Sequence, residues 1–499
     1  MSHTESDPEK ATARSLSPSS AQDSEEKGRA THIEQSATPG KLKPGLYNPD
    51  VDISGVDERK LLRKLDWHLV PWLSFLYLLS FLDRTSIGNA RLYGMEEDLH
   101  ISDKQYLIAL TIFFFPYALF EVSIIVMWEH VRTRWMLGTF EAGLYPGVNY
   151  YLSCWYKRSE FGLRAAIFFS AATVSGAFGG LLAAAISNMD GVGGKPAWAW
   201  IFILEGLVTV IAGGVSYWII QDFPDNATFL TEPERTVVIR RLQADDQFSA
   251  AGEQLKLRYI WQSLADWKTW LCMLLYMGTD GPLYAFSLFL PSIIGQLGYT
   301  ATPANLLSVP VYVLACALTC LVGFIADRHG QRGYLNIACL LVGGAGYIIL
   351  ICSRNAGVSY FAVYLAACGI YPSIANVIAW VSNNIEGSYK RSVTLAMVIS
   401  FGNINGAVSS NVYRAEDKPW YTLGHGIVLA YIGIGLICSV TYIVLLKREN
   451  AKRERGERDE IIVGANDDQE HLRKNGTFDS VEDAKREKGD QWSGYRYTT

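Results

Sequence analysis

The chain has 499 residues, 49% of them hydrophobic, with 14 Trp, 27 Tyr and a formal net charge of -5. The apolar residues are gathered into runs, which excludes an ordinary soluble protein and points to a membrane protein diluted by polar ends. The weak negative balance selects no nucleic acid, and the eight Cys lie mostly inside apolar runs without CxxC or metal-ligand spacing, so neither a disulfide framework nor a metal site is expected.

Residues 1–65, rich in Ser, Thr, Glu and Lys, read as a disordered N-terminal tail. No early apolar h-region precedes the first span, which must then act as an uncleaved insertion signal. A crossing helix needs about 20 mostly apolar residues, and eleven segments qualify: roughly 67–90, 106–128, 136–156, 165–188, 198–220, 267–293, 305–326, 334–352, 360–383, 393–413 and 424–446. The charged stretch 221–266 separates a first transmembrane half, 66–220, from a second, 267–446. Residues 447–499 are nearly all polar and read as a second disordered tail.

Basic residues mark the cytosolic side. Arg59, Lys60, Arg63 and Lys64 precede the first span, Arg132 and Arg134 follow the second, and Lys157, Arg158 and Arg164 follow the third segment. This places the N-terminus and the central loop in the cytosol. A segment crossing once from Arg132 to Lys157 cannot have both ends on one side, so a span is expected between the second and third segments. A repeat gives the same answer. Gly143, Tyr145, Pro146, Gly176 and Gly180 recur 226 residues later as Gly369, Tyr371, Pro372, Gly402 and Gly406, with Arg164 matched by Lys390; Asp66-Trp67 recurs only 200 later as Asp266-Trp267. The 26-residue difference is about one helix and a short loop, lost near 122–134. The fold expected is all-α, two pseudo-repeated helical halves of a twelve-span architecture, with the third span missing and eleven detectable. The matched Pro146 and Pro372 are expected to kink their helices where the halves rock.

Several polar residues fall inside these spans. The apolar run 69–82 is too short to cross, so the first span takes in Asp83 and Arg84. They face a wet cavity or each other, with Thr85, Ser86 and Asn89 prolonging a polar face; the alternative is an interfacial pair capping the helix. Arg134 and Glu141 are two turns apart on one face, suited either to a carboxylate that gains and loses a proton or to a structural ion pair. Glu121 and Glu205 are candidates for bonding neighbouring helices, and Asp280, between Gly278 and Gly281, for lining a cavity. Gly323, Asp327, Arg328, Gly330 and Arg332, in GFIADRHGQR, form a compact loop whose glycines allow a tight turn and whose charges can latch one bundle to the other as a gate; the alternative is a solvated positive-inside loop. The polar face Ser400, Asn403, Asn405, Ser409, Asn411 and Tyr413 can bind substrate or hold helices together, and Arg414 beyond it is a candidate anion contact. Small residues from Ser170 to Gly180 are read as packing. The sequons at Asn226 and Asn475 fall on the cytosolic side and are expected to be unused.

GFIADRHGQR resembles the loop signature of the major facilitator superfamily. FLDRTSIGNA, the FEV at Phe120 to Val122, RWMLGTFEAGLYPG, WYKRSEFGLRAAIFFSA, WIFILEG and NVYRAEDKPWYTLGHG more narrowly resemble the fungal allantoate permease-like group of the anion:cation symporter family, over about residues 57–448. The resemblance implies import of a small organic anion, a nicotinate-, allantoate- or pantothenate-like monocarboxylate, with protons across the plasma membrane. It implies Asp83 and Glu141 as proton-carrying acids and Arg84 and Arg134 as their basic partners and anion attractors. The chain departs from the family at 123–133, SIIVMWEHVRT, where the first-half loop and third span usually stand.

The leading expectation is therefore a secondary active, proton-coupled carrier of a small organic anion. It would work as a monomer in the bilayer, driven by a proton gradient without cofactor, with Asn89, Asp280, Asn403 and Arg414 as further substrate or charge partners. An exporter of a pathway or secondary metabolite and a non-transporting degenerate carrier or sensor are the alternatives. An enzyme is not expected, since no nucleophile, metal or phosphate-cradle constellation is present.

Overall fold

The computed structural model describes residues 47–127, 144–244, 257–299, 301–463 and 470–499. The first half contributes helices α1 (Glu58–Leu92), α2 (Asp103–Met127), α3 (Leu144–Ser153), α4 (Arg158–Ile186) and α5 (Ala197–Ile219). The central segment holds α6 (Glu232–Ala244) and α7 (Leu257–Ala265). The second half follows as α8 (Trp267–Gln296), α9 (Ala301–His329), α10 (Arg332–Cys352), α11 (Ala356–Asn383), α12 (Ser388–Ser409) and α13 (Thr422–Glu454), and then come two short paired strands and α14 (Val481–Lys488).

Eight of the described helices, α1, α4, α5 and α9 to α13, are long and apolar enough to cross a bilayer. With 25 and 30 residues, α2 and α8 also exceed the length a crossing needs. Each of the eleven expected segments overlaps a helix, the third through α3 alone. Where the missing span was expected, α2 runs on to Met127 and residues 128–143 lie outside the described residues. That interval is shorter than the about 20 residues a further crossing would take.

Helix starts follow local capping. The Asp57 side chain accepts from Arg59 N at 2.9 Å, Asp266 from Lys268 N at 3.0 Å and Asn355 from Gly357 N at 2.9 Å, each satisfying an amide that a helix start leaves unpaired. Because Asp57 starts α1 early, residues 58–65 are helical rather than disordered. Residues 1–46 lie outside the described residues.

The two halves repeat a single ion pair. Arg164 on α4 grips Asp66 on α1 through two bonds, Nε to Oδ1 at 3.0 Å and Nη2 to Oδ2 at 2.9 Å. In the second half Lys390 on α12 meets Asp266, the cap of α8, at 2.7 Å. Each partner was matched to its counterpart by a different sequence offset, and the offsets converge on one bond.

The repeated glycines mark where helices touch. A Cβ built on Gly176 or Gly180 of α4 would strike Tyr312 or the Asn305 carbonyl of α9, and one on Gly406 of α12 would strike Phe114 of α2. So α4 packs on α9 and α2 on α12, carrying the contact between halves, as small residues do where helix backbones approach closely. At the end bearing Arg164 and Lys390, Asp327 of α9 accepts from Leu163 N of α4 at 2.5 Å and pairs with the buried Arg332. Gly162 and Gly323 leave room for that contact, and Gly330 makes the turn after α9 at φ +67. Arg328 stays exposed and takes no part. At the opposite end Thr111 of α2 meets Ser410 at 3.0 Å and accepts from Asn411 at 2.8 Å.

The polar stretch after Leu446 does not behave as a disordered tail. α13 continues to Glu454, and residues 489–499 pack under the second half. Asp490, fully buried, pairs with both Lys268 and Lys390. The Thr498 carbonyl accepts from Trp380 Nε1 at 2.9 Å and Asn384 Nδ2 at 3.0 Å, while Arg453 donates to the Tyr495 carbonyl at 2.6 Å. Despite its polar composition, so short a segment needs no core of its own when it supplies Tyr495, Tyr497 and one carboxylate to a core already formed. Under the first half, α6 plays a comparable part through Arg241 on Glu160 at 2.5 Å and Lys64 on Glu234 at 2.7 Å.

Burial pushes the Asp490 carboxyl up, but the ammonium groups of Lys268 and Lys390 more than offset this and hold it at about 2. Asp490→Asn leaves two buried ammoniums short of one counter-charge, and the expected cost is about 3 kcal/mol, read as a lower Tm of the full chain in detergent. A carboxylate depressed in the folded state contributes stability above its unfolded pKa of about 4 and loses it as pH falls toward its folded value. The gap between wild type and Asp490→Asn is therefore expected at neutral pH and should close only between about pH 4 and about 2.

Candidate functional site

Successive residues of a helix are about 100° apart, so Asp83 and Arg84 leave α1 on different faces. Asp83 Oδ2 accepts from Thr209 Oγ1 of α5 at 3.0 Å. Arg84 points the other way, into the junction of the halves. Its Nη1 donates to the Tyr284 hydroxyl of α8 at 3.0 Å and its Nη2 to the Tyr117 hydroxyl of α2. Tyr284 in turn donates to Asn403 Oδ1 of α12 at 2.7 Å. The chain Arg84, Tyr284, Asn403 thus joins both halves through side chains alone. Neither charge caps a helix end, since α1 runs on to Leu92.

Aromatic rings close around the guanidinium. Its carbon lies 4.4 Å from the Tyr117 ring centroid, 5.2 Å from Phe81 and 5.7 Å from Phe113, within cation–π range. Phe114 stacks edge-on against Tyr284 at 4.9 Å. One turn below Tyr284 on α8, Asp280 is 2% exposed and its Oδ2 has no hydrogen-bond partner among the described residues. Gly402 of α12 permits its approach, because a Cβ there would sit 3.0 Å from Asp280 Oδ2. The result is a cationic centre held by neutral hydroxyls in an aromatic surround, with a buried carboxylate one turn away. Chemically it can take an anion that replaces tyrosine hydroxyls on the guanidinium, without any bond being made or broken.

The other candidates distribute as follows. Asn89 is buried on α1 against Gly179 of α4, one turn from Thr85 on the face that packs on α4. The polar face of α12 is mainly structural: Asn405 accepts from Tyr431 at 3.0 Å, Ser409 donates to the Gly281 carbonyl at 2.8 Å, Asn411 reaches Thr111, and Asn403 alone of the set bonds Tyr284. Arg414 does not join the site; it lies exposed beyond α12 with Nε on the Asn411 carbonyl at 3.3 Å, because α12 ends at Ser409 before it. Glu141 and Arg134 lie outside the described residues, as do Glu129 and Arg132. Asn475 spends its side-chain amide on the Glu457 and Asp459 carbonyls at 3.1 and 2.8 Å.

Sequence reasoning passes over Tyr117 and Tyr284, since tyrosine is abundant and carries no charge to draw attention. A signal was available for one of them. Tyr284 follows Arg84 by 200 residues, the same offset as the Asp-Trp dipeptides, which makes the two residues counterparts in the repeat.

A family model for the major facilitator superfamily matches residues 126–410, more than half of the chain. An uncharacterized transporter of Schizosaccharomyces pombe is 32% identical over 467 residues, 87% of this chain and 94% of the relative. An MFS-type transporter of Penicillium expansum, cnsO, is 34% identical over 482 residues, 88% of this chain and 93% of the relative. The high-affinity nicotinic acid transporter of Saccharomyces cerevisiae is 32% identical over 429 residues, 80% of this chain and 79% of the relative. Among solved structures, a bacterial homologue of the human lysosomal transporter Spinster, inward-facing and unoccupied, superposes with a TM-score of 0.51 at 14% identity, covering 76% of this chain and 96% of that one; this likeness speaks to the fold alone. Repeated halves, a cationic centre between them and relatives matched along most of their length lead to one statement of kinship: the chain is a multi-pass membrane transporter, not an enzyme, and belongs to the major facilitator superfamily.

Proposed function

We propose that this transporter imports a small organic anion together with protons, as a member of the allantoate permease-like group, with a monocarboxylate of the nicotinate class as substrate. The observation that carries the reading is Arg84. A guanidinium between the halves, bonded to the hydroxyls of Tyr117 and Tyr284, matches a carboxylate in charge and in two-pronged geometry. The aromatic rings around it suit a flat heteroaromatic acid, stacked while its carboxylate meets the cation. Similarity to a nicotinic acid transporter along most of both chains supports the same substrate class.

In this reading the substrate sits where α1, α2, α8 and α12 converge, and rocking of the halves exposes it alternately to either side. The Asp327–Arg332 contact with α4 closes the cytosolic end, and Asp83 and Glu141 carry protons. The protein acts as a monomer in the plasma membrane with its N-terminus in the cytosol.

Labelled nicotinate uptake by cells expressing the chain is expected to rise as external pH is lowered and to collapse with a protonophore; uptake indifferent to both would sink the proton-coupled reading. Arg84→Gln removes a charge-assisted bond of about 2 kcal/mol and is expected to weaken apparent affinity roughly thirtyfold, with Arg84→Lys recovering only part of it. Gly162→Leu, which crowds the Asp327–Arg332 contact, is expected instead to lower the maximal rate while leaving apparent affinity unchanged, because it acts on closure and not on the anion.

A further inference from the structure

α1 and α5 meet through two crossed contacts, each pairing an acid of one helix with a hydroxyl of the other. Thr209 of α5 donates to Asp83 of α1 at 3.0 Å, and one turn along α1 the Ser86 hydroxyl meets Glu205 Oε2 of α5. Glu205 is 3% exposed, and its Oε1 has no hydrogen-bond partner among the described residues. It lies midway along a helix whose outer face presents Leu207, Val208, Val210 and Ile211, in the lipid-facing manner of a spanning segment.

The Ser86 hydroxyl also lies 2.7 Å from the Leu82 carbonyl. A hydroxyl has one proton to give, and a carbonyl can only accept. Both contacts of Ser86 are hydrogen bonds at the same time only when Glu205 brings a proton of its own on Oε2. An ionised Glu205 would instead leave one oxygen unpartnered and the other competing for a single proton, deep in an apolar segment where an unpaired charge costs several kcal/mol. The surroundings offer no cation among the described residues to change this. Among the described residues the charge that reaches Glu205 is that of Asp83, another acid; Arg84 is turned toward Tyr117 and Tyr284. α4 meets this part of α5 through Ala183 and Ile186 against Ile201.

We propose that Glu205 is a proton-carrying residue of the transporter, holding a proton on Oε2 between α1 and α5 and exchanging it with the Asp83 carboxylate. The inference deepens the proton-coupled reading above and rests on it for its physiological role. In the exchange one proton moves; Glu205 becomes a carboxylate as Asp83 becomes an acid, and the net charge of the pair is unchanged. Thr209 and Ser86 are positioning residues: Thr209 donates to Asp83, and the Ser86 hydroxyl accepts from the protonated Glu205 while donating to the Leu82 carbonyl.

The deciding measurement is the carboxylic-acid C=O stretch in the infrared spectrum of the full chain, purified in lipid nanodiscs at neutral pH without substrate. A protonated-carboxyl band is expected that disappears in Glu205→Gln and persists in Asp83→Asn. Ser86→Ala keeps the acid but removes its partner, so there the band is expected to shift, which keeps the test open if Glu205→Gln folds poorly. Absence of the band in the wild type, or its survival in Glu205→Gln, overturns the assignment. In proteoliposomes, with nicotinate as the probe, Glu205→Gln is expected to keep nicotinate exchange and lose accumulation driven by an inward proton gradient; retained accumulation likewise overturns it. A wild type that moves no nicotinate counts against the anion reading alone, since the infrared band is read without substrate.

Discussion

The bond from Arg84 to Tyr284 fixes the geometry of the whole transporter, because it joins two residues that occupy the same place in the repeat. Parts related by a two-fold axis can touch their own counterparts only close to that axis. α1 and α8 must therefore cross there, and a second pair at the same offset confirms the crossing: a Cβ on Gly88 would lie 3.0 Å from the Leu288 carbonyl. Once these helices meet on the axis, the flanking contacts are determined. α4 falls against α9 and α2 against α12, each through glycines of the repeat. Arg84 is then flanked by both halves, with Tyr117 from the first and Tyr284 and Asn403 from the second.

A single residue step along α1 separates two kinds of chemistry. Arg84 looks into the junction of the halves, while Asp83 looks outward to α5, which belongs wholly to the first half. In the proposed function, anion and proton are thus handled on different faces of one helix. Coupling between them needs no direct contact, because any rotation of α1 that changes the surroundings of one changes those of the other.

Most of the architecture was legible because the bilayer imposes a length on every span, and because duplication left charged residues at matched positions. Asp66 could be matched to Asp266, and Arg164 to Lys390, across the halves before any coordinates. The site was legible in part. Arg84, Asp280 and Asn403 stood out as polar groups in apolar spans, whereas Tyr117 and Tyr284 did not, and Arg414 was misplaced because the end of α12 cannot be read to within a turn. Glu205 was visible, but its meaning depends on how many protons Ser86 has to share, which is a property of three atoms and not of a pattern. Asp490 was hidden by its neighbours: composition averages over a segment, while docking depends on a few residues within it.

The Asp490 contact also bears on how the protein is made. Lys268 is synthesised 222 residues before the carboxylate that neutralises it, an interval on the order of 10–45 s at ordinary elongation rates of about 5–20 residues per second. Until then Lys268, joined by Lys390 once residue 390 is made, has Asp266 as its counter-charge among the described residues. The second half can thread its helices into the membrane one by one, but the face covered by residues 489–499 stays hydrated and unlocked until residue 490 arrives, so the final packing of that half is a late event governed by the last residues to be made.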